Sequence, residues 1–155
     1  MTYLVIGQCG SGKTWVMKEL IKHFNIDQRK KWSKINYNIG GKMMVLGNYD
    51  GSTFEGSDRL SMAVANDFET FRQRSLGMTI ICEGDRFMNQ KFISLFNPTI
   101  LKILDDGSSG RNLRNSNQSE RQLKSIKTRV NKLNANHEFN NSTEVLEWLK
   151  KTLTP

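Results

Sequence analysis

Tyr3, Leu4, Val5 and Ile6 form an unbroken apolar run that passes directly into GQCGSGKT, residues 7 to 14. Gly7 and Gly12 bracket four residues and lead into Lys13 and Thr14, so the pattern G-x-x-x-x-G-K-[ST] is complete. After it, Val16, Leu20, Ile21 and Phe24 recur at helical spacing. Strand, glycine loop and helix in that order let successive backbone N–H groups curl around an anion, with the positive end of the helix behind them. Gly7, Gly10, Ser11 and Gly12 would line the phosphates of a nucleotide, Lys13 would reach the β and γ phosphates, and the Thr14 hydroxyl would be a magnesium ligand.

Three further apolar runs, Met43 to Tyr49, Met78 to Glu83 and Thr99 to Leu104, read as strands. Helical patterns follow two of them: Val64, Phe68 and Phe71 before Gly77, and a weaker one from Arg86 to Phe96 that Pro98 ends. Strand and helix alternating imply an α/β fold with three layers, a parallel sheet flanked by helices. At 155 residues the chain suits one domain. DDGSSGRNLRNSN, residues 105 to 117, has the composition of a mobile, lid-like loop. It leads into a helix with Leu123, Ile126, Val130 and Leu133 on one stripe and basic residues on the other. Asn141 with Glu144 predicts a capped C-terminal helix turning Val145, Trp148 and Leu149 inward, and residues 134 to 155 carry no motif that ties them to an adenine.

The net charge of +8 is concentrated in two places. Residues 28 to 42 hold Arg29, Lys30, Lys31, Lys34 and Lys42 with no acid; residues 108 to 132 hold Arg111, Arg114, Arg121, Lys124, Lys127, Arg129 and Lys132 against Glu120. The remainder is slightly acidic. A basic segment is often just a solvated surface, but arginines near a triphosphate have a specific use, because phosphoryl transfer spreads charge that positioned guanidiniums can hold. Arg111, Arg114 and Arg121 are therefore candidates to close over the nucleotide, or equally to grip a polyanionic acceptor. The first segment reads as a polar insertion where a kinase would place part of its acceptor site. No apolar stretch is long enough to span a bilayer, and nothing near Met1 has the form of a secretory signal, so a cytoplasmic protein is expected. Cys9 and Cys82 offer neither a disulfide framework nor a metal-binding spacing, and His23 and His137 read as structural or solvated.

TIICEGDR, residues 79 to 86, puts Glu83 and Asp85 at the end of a central strand, where a carboxylate can hold magnesium. If the strand persists the two share a face, and their division between metal and acceptor stays open. GNYDGSTFEGSDRLSM, residues 47 to 62, carries Asp50, Glu55 and Asp58 with Arg59 alone. A hydroxyl acceptor needs a base whereas a phosphate acceptor prefers arginine, so this loop leans toward a hydroxyl.

Together the glycine loop, YDGSTFEGSDRLSM, EGDRF and QSERQLKSIKTRV resemble a family of small P-loop kinases encoded by bacteriophages, among them kinases acting on 5-hydroxymethyluracil in DNA. The resemblance runs from about residue 1 to residue 133. It implies transfer of the γ-phosphate of ATP, with magnesium, to the hydroxymethyl group of the modified base, in the cytoplasm of a phage host. It also implies that Asp85 and Arg86 sit at the transfer centre and that Asp58 and Arg59 face the acceptor. A base in a duplex would have to be flipped out, and Tyr49 and Phe54 could receive it. Lys30 and Lys31, with Trp32 and Tyr37 among the cations, suit a phosphate backbone and unstacked bases, although Trp32 is as readily a core anchor. Deoxynucleoside monophosphate kinases share the layout and are the main alternative; a P-loop ATPase or nucleotide-binding module without a small acceptor is a further one.

Overall fold

A computed structural model describes residues 1–51, 55–57, 60–113 and 119–155, apart from the side chains of Met62, Asn112 and Leu113. The four apolar runs are strands: β1 (Thr2–Ile6), β4 (Met43–Leu46), β5 (Thr79–Glu83) and β6 (Thr99–Ile103). Among the described residues the sheet has seven strands rather than four, in the order β2-β3-β4-β5-β1-β6-β7. The segment expected to be a polar insertion is a hairpin, β2 (Gln28–Trp32) and β3 (Ile35–Gly40), added antiparallel to the edge beyond β4. At the opposite edge lies β7 (His137–Phe139), which pairs parallel with β6 and was not among the apolar runs. The result is an α/β fold with a mixed, mostly parallel sheet.

Six α-helices accompany the sheet among the described residues. Alternation along β1 divides the core: Tyr3 and Val5 face a cluster with Val16, Met17 and Leu20 of α1 (Lys13–His23), while Leu4 and Ile6 face the other side. The first cluster also holds Val145, Leu146 and Leu149 of α6 (Ser142–Leu153). Asn141 caps α6 as expected, its side chain accepting from the Glu144 amide at 3.0 Å.

On the other face the expected helix after β4 is split. Val64 lies on a 3-10 segment, Met62–Asp67, and Phe68 and Phe71 on α2 (Phe68–Arg74). After β5 a 3-10 turn, Asp85–Phe87, precedes α3 (Gln90–Phe96), whose start is fixed by the Asn89 side chain accepting from the Phe92 amide at 2.8 Å. The helix therefore begins four residues later than its apolar pattern suggests. Phe87 packs between Phe68 (ring centroids 6.0 Å) and Phe92 (5.0 Å), so the turn that carries Asp85 and Arg86 is pinned by fully buried rings. Emptying such a site costs about 3–5 kcal/mol.

Two more helices follow β6. The expected loop contains α4 (Ser108–Leu113), and the predicted amphipathic helix is α5 (Glu120–Lys132), opened by a reciprocal Ser119–Gln122 capping box. Val130 of α5 is buried and Ile126 and Leu133 pack beside it. Among the described residues no helix is long and apolar enough to cross a membrane.

Candidate functional site

β1 and β5 are adjacent and parallel, yet the helices that follow them lie on opposite faces, α1 against one cluster and α3 against the other. The chain thus parts at their carboxyl ends and opens a crevice, the place where open α/β sheets hold ligands. Both sequence motifs that point to phosphate chemistry end there.

The glycine loop fills one side. Gly10 and Gly12 have φ of 85° and 97°, backbone that an L side chain rarely adopts. Gly10 is also hemmed in: a Cβ there would collide with the Gly107 carbonyl, because α4 lies against the loop. Beside Gly7, Ser11 is buried, and its Oγ has no hydrogen-bond partner among the described residues. The Lys13 ammonium donates to the carbonyls of Gly7 and Gln8, each at 3.0 Å, so it lies across the loop mouth. No side chain caps α1, and its first turn holds no acid, which leaves the positive helix end open.

Glu83 occupies the other side and is 3 % exposed. Its Oε1 receives the Thr14 hydroxyl at 3.3 Å, the Tyr49 hydroxyl at 3.3 Å and the Ser57 amide at 3.4 Å. A buried carboxylate needs such donors, and these are long for hydrogen bonds to an anion. The loop after β4 supplies two of them by folding back, with Asn48 and Gly56 bridged antiparallel. Gly56 has φ 83°, and a Cβ there would strike Glu83 Oε1, so only glycine leaves the space between Thr14 and Glu83 open. Among the described residues no three His, Cys, Asp or Glu side chains gather. One carboxylate and one hydroxyl beside a glycine loop is instead the kind of oxygen set that magnesium can share with the phosphates of a nucleotide.

Glu83 and Asp85 do not share a face. The strand stops at Glu83, and Gly84, at φ 89°, turns the chain, so Asp85 points to a different group of side chains. It is ion-paired with Arg129 of α5 and lies 3.6 Å from Arg86, whose Nε donates to the Leu60 carbonyl at 3.2 Å. Asp85, Arg121, Gln122, Ser125, Ile126 and Arg129 line a cleft of ≈ 360 Å³.

Several expected site residues are placed differently. Arg111 does not reach over the loop: its Nη1 donates to the Cys9 carbonyl at 2.7 Å and to the Asp106 carbonyl at 2.8 Å, clasping the loop from α4. Tyr49 is no exposed stacking platform but is buried and supports Glu83. Glu55 is engaged by Lys18 at 2.9 Å and by the Gly51 amide at 2.7 Å, which weakens the case for a row of free acids in that loop. Asp50 is exposed. Trp32 and Tyr37 pack on Phe71 with centroids 6.0 and 6.1 Å away, so neither is a free platform for bases. Lys30 and Lys31 are exposed on β2, four strands from β1, roughly 19 Å at ordinary strand spacing. Phe54, Asp58, Arg59 and Arg114 lie outside the described residues.

Sequence reasoning passed over Arg129 and Ser57. The eight-residue interval from Arg121 to Arg129 on a predicted helix was a usable signal for the former; none marked Ser57. Comparison with protein-family models, with characterised proteins and with solved structures finds no match to this chain.

Proposed function

We propose that this chain is a P-loop kinase of the three-layer type that moves the γ-phosphate of ATP, with magnesium, to an acceptor hydroxyl. The observation that carries the reading is the meeting of Thr14 and the buried Glu83 at 3.3 Å, beside a glycine loop and an uncapped helix N-terminus. Thr14 and Glu83 would hold the magnesium ion, which when bound neutralises phosphate charge and orients the triphosphate. The loop amides and Lys13 would bind and fix the phosphates. Asp85, one turn beyond Glu83, is the candidate to accept the acceptor's proton. In the transfer the acceptor oxygen bonds to the γ-phosphorus, the bond from that phosphorus to the β–γ bridging oxygen breaks, and ADP leaves with the electron pair.

The acceptor we favour, the 5-hydroxymethyl group of 5-hydroxymethyluracil in DNA, rests on the sequence resemblance and on the exposed cations of β2. A deoxynucleoside monophosphate kinase is the second reading, and Arg121 and Arg129 beside Asp85 favour it, since arginines suit an acceptor phosphate.

The test is transfer of labelled γ-phosphate from magnesium-ATP to deoxynucleoside monophosphates, plain DNA, and DNA carrying 5-hydroxymethyluracil or 5-hydroxymethylcytosine. Label in hydroxymethylated DNA alone is expected. Label in a monophosphate alone would replace this reading with the second, and label in water alone would make the chain an ATPase. Lys13→Ala should abolish every transfer.

A further inference from the structure

The cleft between the Asp85 turn and α5 has no role in nucleotide binding as described above, and we infer that it is the acceptor subsite, built to grip a phosphate of a nucleotide unit. The inference rests on the kinase reading. Arg121, Ser125 and Arg129 follow one another at four-residue intervals along α5, with Gln122 and Ile126 alongside, so one stripe of the helix faces the cleft. That stripe offers two guanidiniums, an amide and a hydroxyl around one half-buried apolar side chain, Ile126. Asp85 is the one acid among the described residues of the lining. Since Arg129 is already ion-paired with it, Arg121 has no carboxylate partner among the described residues and adds its charge to the remaining donors of Arg129.

The size and place fit the same ligand. A cleft of ≈ 360 Å³ is at the small end of ordinary ligand sites, roughly 300–1,000 Å³, and suits a single nucleotide unit. Asp85 is two residues from Glu83, at most about 7 Å along the backbone. A group seated against Asp85 is therefore next to the phosphate that Thr14, Lys13 and the loop would present. Arg121, which on sequence alone suits either the nucleotide or a polyanionic acceptor, belongs on this account to the acceptor, and Arg129 has two tasks: it grips the acceptor and keeps the Asp85 carboxylate in position. The phosphate it grips is either that of a free nucleoside monophosphate or a phosphodiester flanking the reacting nucleoside in a strand. The cleft's chemistry is the same for both.

The experiment measures steady-state kinetics of Arg121→Ala, Arg129→Ala and Arg129→Lys with three acceptors: a deoxynucleoside monophosphate, a short oligonucleotide containing 5-hydroxymethyluracil, and the unphosphorylated 5-hydroxymethyl nucleoside. Losing one charge-assisted hydrogen-bonding partner should raise acceptor KM by roughly tenfold to a hundredfold. Arg121→Ala should do this for the phosphorylated acceptor alone, with KM for ATP and kcat retained. Arg129→Ala should lower kcat as well, and Arg129→Lys should restore part of it. Whether the monophosphate or the oligonucleotide responds identifies the source of the phosphate. Both arginines are exposed, so melting temperatures close to the parent protein's are expected. Unchanged acceptor KM in both alanine variants, or a rise in ATP KM instead, would overturn the subsite while leaving the kinase reading in place. Failure of the unaltered protein to bind magnesium-ATP by calorimetry would remove that reading, and this inference with it.

Discussion

The Thr14 hydroxyl donates to Glu83 Oε1 across 3.3 Å, joining residues 69 apart in sequence at the parting of β1 and β5. The same oxygen is held by Tyr49 and Ser57, so the carboxylate stays in place if one donor is lost. Glu83→Gln should therefore fold, with a melting temperature near that of the parent protein, yet lose turnover. A metal-centred clamp contributes several kcal/mol to a phosphoryl-transfer transition state, so a fall of about a hundredfold or more is expected. Titration of magnesium at fixed ATP distinguishes a metal role from a structural one. Half-saturation should move to higher magnesium in Glu83→Gln and Thr14→Val; an unchanged titration would detach both residues from the metal.

Arg111 predicts a different outcome. Its guanidinium bonds the Cys9 and Asp106 carbonyls, which makes α4 a brace for the glycine loop. Arg111→Ala should cost roughly 1–3 kcal/mol of stability with no nucleotide present, as expected when charge-assisted hydrogen bonds are lost. A guanidinium acting solely on the transition state would instead leave the melting temperature unchanged and lower only kcat. Denaturant unfolding and single-turnover kinetics on the same variant decide between the two.

How far the sequence revealed this arrangement follows from burial. The buried parallel strands are continuous apolar runs, and the glycine motif stands between the first of them and its helix, so half of the site was legible at once. Gln28–Trp32 carries no such pattern because four of its five residues are exposed at the sheet edge. It becomes a strand only by pairing with β3. Likewise α4 hides in a glycine- and serine-rich stretch, and what orders it is tertiary: Gly107 and Gly110 approach the backbones of Cys9 and Gly10 too closely for any Cβ. The assignment of Glu83 to the Thr14 side and Asp85 to Arg129 depended on one bend at Gly84, which strand periodicity cannot anticipate. Tyr49 closes an apolar run and could be read as a receiver for a flipped base; its contact with Glu83 goes with the loop folding back through the bridge from Asn48 to Gly56, a long-range arrangement that the run does not announce.

Two cysteines offer a probe of the loop. Cys9 is partly exposed, whereas Cys82 is buried in β5, and burial, together with the neighbouring Glu83 charge, pushes its thiol well above the usual range. A raised thiol pKa means less thiolate at any pH below it, and thiolate is the reactive form. With an aromatic disulfide reagent at pH 8, one thiol should react in the folded protein and the second only in denaturant. Magnesium-ATP should slow the first reaction by covering the loop. Equal reactivity of both thiols would contradict the packing of β5, and indifference of Cys9 to nucleotide would contradict the phosphate assignment.

The hairpin carries the sharpest prediction about a polymeric acceptor. Lys30 pairs with Tyr37, and Tyr37 with Leu46, so the cations of β2 stand level with the carboxyl end of β4, on the crevice side of the sheet. Their side chains are exposed and hold up no core, so Lys30→Glu with Lys31→Glu should leave the melting temperature and magnesium-ATP affinity as they were. If a strand passes from the Asp85 cleft, at the end of β5, across β4 to this edge, binding to an oligonucleotide long enough to span three strand spacings, roughly 14 Å, should weaken. The slope of log affinity against log salt should also become shallower, by about 0.7–0.9 for each phosphate contact removed. Lys151→Glu is the control, because α6 starts at the glycine loop, where Ser142 Oγ would lie 2.6 Å from a Cβ on Gly12, and carries Lys151 in its last turn, about one helix length away. A loss about half as large in that control, which reverses one charge where the hairpin variant reverses two, would mean only net charge matters. No loss in either would make β2 simply a sheet edge kept soluble by lysines, the device by which exposed strands avoid pairing with other chains.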